Sequence, residues 1–292
     1  MGQQGGRIAF QGALGAYSHQ ACTEALPGWQ GLPCVTFEGA IAAVREGRAD
    51  LAMMPVENST YGRVADIHHL LPESGLHIVG EHFLRVHINL LALPGVGLAD
   101  VRSAMSHTVL LGQCRTFLRE HGIATRVGAD TAGSAEIVAK AGDRTLAALA
   151  SELAGEIYGL EVLARHIEDQ SNNTTRFLVM SPEPRPAPVK AALTTFVFRV
   201  RNIPAALYKA MGGFATNGVN MTKLESYMID GQFTATQFYA DIEGHPDEPR
   251  VRRALDELGY FTTYLQILGT YPRHPFRDAR PAVAMEAEAH PA

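Results

Sequence analysis

Two stretches of this chain carry residue types suited to handling a small polar ligand: PVENSTYGRV at 55–64 and SNNTTRFLVM at 171–180. The first places Glu57, Asn58 and Ser59 just past the apolar run ADLAMM. That is the carboxyl end of a predicted strand, where open α/β sheets bind ligands. The second sets Asn172, Asn173, Thr174 and Thr175 before Arg176 and the apolar run Phe177 to Met180. Asn, Ser and Thr also form turns and caps, so each stretch has a purely architectural reading as well. The nearest acids to the Thr–Arg step, Glu168 and Asp169, lie upstream of it. A site here would act through hydroxyls and amides, without a histidine or a metal.

Other predicted strand-to-helix junctions repeat this chemistry. FQGALGAYS supplies Gly12 and Gly15, which let a ligand approach the backbone, and the hydroxyl of Ser18. Its spacing, GxxGxxS, is not the dinucleotide fingerprint GxGxxG. SHTVLLGQC places Ser106 and His107 after an apolar strand and Gln113 at a later helix start, and DTAGSAE opens a helix with Thr131 and Ser134. Each is an ordinary N-cap pattern by itself. Their repetition points to a pocket for a small carboxylate-bearing ligand. His68, His69, His77, His82 and His87 fit neither HExxH nor a facial triad, so no metal is expected. Only Lys140 of the four lysines (Lys140, Lys190, Lys209, Lys223) precedes residue 181. That argues against Schiff-base chemistry, and no GxxxxGK[ST] loop is present.

The elements that must position these residues follow from hydrophobic periodicity. RIAFQG, ADLAMMPVEN, HINLLAL and TLAALAS read as strands. YSHQACTEAL, FEGAIAAVREG, GQCRTFLREHG, GSAEIVAKAG and ELAGEIYGL read as helices. This alternation predicts an α/β fold with largely parallel sheets. Ser181–Ala191 is proline-rich and reads as a stiff linker. Beyond it, Phe196, Phe198 and Val200 alternate at period two, and Leu207, Ala210, Met211 and Phe214 fall on one helical face. VNMTKLESYM and QFTATQFYADIEG read as strands joined by the turn IDG. Val251, Ala254, Leu255 and Leu258 repeat the helical spacing, with Gly259 as a stop, before the strand FTTYLQILG. The order βαββαβ is the ferredoxin-like split unit.

A composition of 46% hydrophobic and 19% charged residues is that of a globular chain, and 292 residues are enough for two domains. A net charge of −5 argues against nucleic acid or an anionic membrane as partner. Cys22, Cys34 and Cys114 make neither a disulfide framework nor a metal-spaced set. With no basic leader and no long apolar run, a reduced, cytoplasmic location is expected.

GALGAYS, PVENSTYGRV, SHTVLLGQC, DTAGSA, ALASELAGEIYGL and NNTTRF occur in an order that resembles the prephenate dehydratase family. The βαββαβ part, with PAALYKAMGGFATNGVNMTKLES, is similar to the ACT regulatory domain that follows in that family. The resemblance implies a two-lobed, periplasmic-binding-protein-like catalytic domain over 1–181, with the site in the cleft between lobes. It places the linker at 182–191 and the ACT domain at 192–272, leaving a tail, 273–292, that is expected to be disordered. One lobe would hold the first strands and TRFLVM, and residues 80 to 165 would form the other.

The implied reaction converts prephenate to phenylpyruvate, carbon dioxide and water in phenylalanine biosynthesis, with no cofactor. By resemblance, Thr175 donates a hydrogen bond or a proton to the departing hydroxyl. Asn58, Ser106 and Gln113 bind or orient substrate, and Glu57 orients its neighbours. Ser18, Ser59, Thr131, Ser134, Asn173, Arg176 and Phe177 complete the substrate set. Arg176 would pair with a substrate carboxylate or with a lobe-bridging acid. L-phenylalanine is the implied effector, bound through Ala205, Ala206, Leu207, Asn220, Glu225 and Ser226, and pairing of ACT units implies a homodimer or homotetramer. Two departures stand out. The family's frequent His-Pro-Gln appears as His107-Thr108-Val109, and its Gly-Ala-Leu and Glu-Ser-Arg-Pro appear as Ala205-Ala206-Leu207 and Glu225-Ser226-Tyr227-Met228. The alternatives are an arogenate or cyclohexadienyl dehydratase, or a non-catalytic amino-acid sensor using the same cleft.

Overall fold

The computed structural model describes residues 5–228 and 235–278, the side chains of 65, 66, 235 and 236 excepted. The chain divides into two compact units: one takes in residues up to Leu76 together with Leu84–Glu183, and the other takes in His77–Phe83 and the residues from Pro184 onward.

In the first unit β1 (Arg7–Gln11), α1 (Tyr17–Ala25), β2 (Gln30–Cys34), α2 (Phe37–Arg45) and β3 (Leu51–Asn58) alternate as the hydropathy predicts. β1 lies parallel to both β2 and β3. Leu51, Ala52, Met53, Met54 and Val56 of β3 are wholly buried, as an unbroken apolar run in a central strand requires. The two-residue β4 (Gly62–Arg63) folds back on β3, and α3 (Ala65–Glu73) follows; of the next strand, β5 (His77–Arg85), the residues from Leu84 belong to this unit.

A second sheet is built from β6 (Asn89–Ala92), β7 (Ser103–Ser106), β8 (Ala124–Val127), β9 (Leu146–Ala150) and β10 (Glu161–Ala164), in the order β10-β6-β9-β7-β8. Its helices are α4 (Thr108–Gln113), α5 (Arg115–Glu120), α6 (Thr131–Ala141) and α7 (Glu152–Tyr158). β11 (Thr174–Ser181) then returns to the first sheet beside β3.

Four expectations for this unit are corrected. The sheets are mixed: β7 is parallel to β8 and β9, but β11 runs antiparallel to β3, and β6 antiparallel to β9 and β10. β11 enters the first sheet from the second sheet instead of through a βαβ crossover, so nothing constrains it to run parallel. The single helix expected over 112–122 is two. Cys114 leaves the helical region at φ −121° and ψ 25°, and the Asp169 carboxylate accepts from Arg115 N and Thr116 N, which starts α5 afresh. Gln113 therefore ends a helix instead of opening one, and Ser106 closes the short strand β7.

In the second unit β12 (Ala192–Val200), α8 (Ala206–Thr216), β13 (Met221–Met228), β14 (Ala235–Glu243), α9 (Pro249–Phe261) and β15 (Thr262–Pro272) form an antiparallel sheet in the order β13-β14-β12-β15. This is the ferredoxin-like order. Phe196, Phe198 and Val200 share a core with Phe214, Val251, Ala254 and Leu258, as the two periodicities predict. α9 runs past Gly259 to Phe261, and the expected turn at 229–231 lies outside the described residues. The expected disorder of the tail is corrected for its first residues. Pro275–Asp278 is a 3-10 turn whose Arg277 grips buried Glu81 at 2.7 and 2.9 Å, while His274 N donates to the same carboxylate at 3.1 Å. Residues 279–292 lie outside the described set. Among the described residues no helix is long and apolar enough to cross a membrane.

Candidate active site

The β3–β11 register builds the centre of the site: Thr175 is paired with Asn58, and Arg176 with Glu57. The orientation of the Asn58 amide follows from its neighbours. Its Oδ1 accepts from the backbone N–H groups of Thr60 and Tyr61 at 2.9 and 3.0 Å, and a backbone N–H can only donate. Asn58 Nδ2 is thereby aimed at Asn173 Oδ1, at 2.6 Å, and at Thr175 Oγ1, at 2.9 Å. Thr175 accepts in this contact, so its single hydroxyl proton is available in another direction. The loop carrying Asn172 and Asn173 is held by Ser59, whose hydroxyl donates to Asn172 O at 2.8 Å and accepts from Thr174 N at 2.9 Å.

Thr175, Asn58 and Asn173 line a cavity of about 330 Å³ together with Tyr17, Ser18, Tyr61 and Gln113 and an apolar wall of Pro55, Val64, Val86, Val109, Leu110 and Phe177. None of these side chains carries a charge. Gln113 Oε1 is buried, and among the described residues nothing donates to it. An unpaired buried acceptor is costly, so a ligand donor would be favoured there. Tyr17 is committed to structure: its hydroxyl donates to His87 O at 2.9 Å, and burial pushes its phenol well above the usual range. A second cavity of about 300 Å³ shares Tyr17 and Ser18 with the first and is otherwise lined by Gln11, Gly12, Ala16, His107, Ala129, Asp130 and Thr131.

The sequence-predicted residues divide accordingly. Thr175, Asn58, Gln113, Ser18, Asn173 and Phe177 come together around the first cavity, and Thr131 lines the second. Ser106 is buried, and its hydroxyl donates to Leu149 O at 2.7 Å, which spends it on holding β7 to β9. Ser134 donates to Asp130 O at 2.6 Å, inside the first turn of α6. Arg176, 2% exposed, pairs with Glu57 at 2.9 Å, and neither lines either cavity. Of the two partners left open for Arg176, the structure provides an acid, but one on the neighbouring strand β3.

Tyr17, Tyr61 and Val109 line the first cavity without having been singled out as site residues. Tyr17 and Tyr61 stand beside named motif residues, and no spacing distinguished them. The acids upstream of the Thr–Arg step line a smaller cavity of about 130 Å³ that shares Tyr61, Gln113 and Asn173 with the first, and both already have partners: Glu168 accepts from Ile88 N at 2.9 Å and pairs with His87 Nδ1 at 3.0 Å, and Asp169 caps α5. Of the histidine run, His68 is buried on α3 and His87 stacks on His166 at 3.9 Å.

In the second unit Ala205 precedes α8 at φ 62°, and Ala206 and Leu207 form the first turn of that helix. Asn220 Nδ2 donates to Glu243 at 3.1 Å, Glu225 pairs with Lys223 at 3.4 Å, and Ser226 is paired with Phe238 across β13 and β14. Tyr227 is buried, which pushes its phenol up to about 12, whereas its neighbour Met228 is exposed.

The family model for prephenate dehydratase matches residues 8–185, more than half of the chain and all of the cavity-lining residues. The chain belongs to the prephenate dehydratase family. Members are hydro-lyases, and this chain is an enzyme of that class. It is 56% identical over 272 residues to the bifunctional N-acyl-homoserine lactone acylase/prephenate dehydratase of Komagataeibacter europaeus, covering 92% of this chain and 97% of that one. It is 37% identical to arogenate dehydratase 2 of Petunia hybrida, over 91% of this chain and 71% of the relative. The prephenate dehydratase of Arthrobacter aurescens, solved in complex with L-Phe, has a TM-score of 0.83 at 32% identity, covering 95% of this chain and 92% of that one.

Proposed function

We propose that this chain converts prephenate to phenylpyruvate, carbon dioxide and water, and that Thr175 is its catalytic donor. The bond between the ring and its carboxylate breaks, and its electron pair flows through the ring. The ring C–O bond then breaks, and the hydroxyl leaves as water after taking up one proton from solvent. Aromatisation supplies much of the driving force, so the reaction calls for no redox partner or electron sink. The enzyme must assist the departing oxygen without over-stabilising the carboxylate that leaves, since equal stabilisation of ground and transition states gains no rate. An uncharged cavity with an apolar wall suits the second demand, and a hydroxyl donor suits the first.

The observation that carries this reading is the Asn58 amide, fixed by two backbone donors, which makes Thr175 an acceptor toward Asn58 and frees its proton for the substrate. Threonine is a very weak acid, so Thr175 acts as a hydrogen-bond donor to the developing charge. Glu57 and Arg176 hold the register that sets Thr175 opposite Asn58. Incubation of the purified chain with prephenate and no cofactor tests the assignment: release of phenylpyruvate with equimolar carbon dioxide is expected, and no release refutes it. Arogenate assayed in parallel measures substrate preference.

We assign residues 1–181 to the catalytic domain, 182–191 to a linker and 192–272 to an ACT domain binding L-phenylalanine. The βαββαβ order and a relative solved with L-Phe support this. The ligand would sit about Ala205–Leu207 and Asn220–Ser226, in a homodimer or homotetramer. Three free cysteines are compatible with a cytoplasmic location. A second reading, hydrolysis of N-acyl-homoserine lactones, is favoured by the 56% identity to the bifunctional relative. Release of homoserine lactone from such a substrate would establish it.

A further inference from the structure

The cavity that adjoins the Thr175 cavity holds a histidine with one ring nitrogen already bonded to the backbone. His107 is the N-cap of α4, and its Nδ1 accepts from Val109 N at 3.3 Å. A backbone N–H can only donate, so Nδ1 is unprotonated and the ring carries its proton on Nε2. Among the described residues no partner is present for that Nε2–H, while the ring lines the 300 Å³ cavity. The hydroxyls of Ser18 and Thr131, at the starts of α1 and α6, line the same cavity, and no described residue bonds to either of them. Asp130, the one carboxylate in the lining, is turned to Gly133 N at 2.6 Å. The cavity therefore collects uncommitted donors and a single acid that already has its donor.

We propose that His107 is a substrate-binding residue that donates from Nε2 to the carboxylate of the substrate's side-chain arm, with Ser18 and Thr131 completing the anion subsite. This rests on the dehydratase reading. The shared lining by Tyr17 and Ser18 makes the two cavities adjoin, so a ring beside Thr175 can extend its arm toward His107.

Two substitutions separate the ring's two nitrogens. His107→Asn keeps an acceptor at the cap and loses the donor that reaches into the cavity. His107→Gln loses the cap geometry and places an amide N–H near the former Nε2. With prephenate, H107N is expected to raise KM about tenfold or more, as loss of a charge-assisted hydrogen bond does, with its melting temperature close to wild type. Inhibition by phenylpyruvate, which keeps the arm, should weaken by the same factor. H107Q should hold KM within about threefold of wild type while melting earlier. An unchanged KM in H107N, or equal rises in both variants, overturns the assignment of His107. Absence of turnover in the wild-type chain would instead refute the dehydratase reading, and phenylpyruvate binding would then still test His107.

Discussion

Replacing Thr175 by Val is the most direct test of how the site works. Valine has nearly the same shape, so the β3–β11 register and the wall beside Phe177 survive, and only the hydroxyl is lost. Two effects follow. Asn58 Nδ2 loses its 2.9 Å acceptor but keeps Asn173 Oδ1 at 2.6 Å, so stability should fall by about 1 kcal/mol. The transition state loses a donor held in place before the charge develops, a loss of about 3–4 kcal/mol or roughly 10²–10³ in rate. Because that bond strengthens only as the hydroxyl departs, kcat and kcat/KM should fall together, with KM little changed. Phenylpyruvate formation under saturating prephenate measures the loss in kcat, and a urea melt of each protein measures the loss in stability. Thr175→Ser should recover most of the rate. Turnover of the valine variant within about threefold of wild type would refute the role of Thr175, and a rise confined to KM would recast it as a binding group.

Asn58→Asp keeps the acceptor for Thr60 N and Tyr61 N but puts an oxygen where Nδ2 met Thr175, so Thr175 should donate backward and kcat should fall about as far as in Thr175→Val. Ala205→Gly should stabilise the chain by roughly 1 kcal/mol in a urea melt, because φ 62° is strained for any residue with a Cβ. Arg277→Met removes the guanidinium from buried Glu81, and a loss of about 3 kcal/mol is expected by the same measurement. Burial pushes the Cys22 thiol up to about 12 and raises Cys114 as well. The unfolded thiols ionise first, so their contribution to stability is complete below about pH 9 and declines as pH rises from there toward 12. Melts across that range check the slope, and thiol labelling of the native chain near pH 8 should spare both residues.

Local sequence determined much of this protein because its signals are short-ranged. The apolar run of β3, the Phe196–Phe198–Val200 alternation and the Val251–Leu258 spacing each encode an element whose buried face the structure then fills. The amide- and hydroxyl-rich segments at 57–59 and 172–175 were visible as polar ends of apolar strands, so the two halves of the site could be named separately. Their meeting could not be read locally: Asn58 and Thr175 are joined by a strand pairing across 117 positions, and only that register turns the Thr175 proton away from Asn58. The same long-range closure spends Ser106 on Leu149 and Arg176 on Glu57, and makes Asp169 the cap that splits one expected helix into two. Residue type gave the chemistry each group is capable of; the partner each one meets across the fold decided which groups remain free to use it.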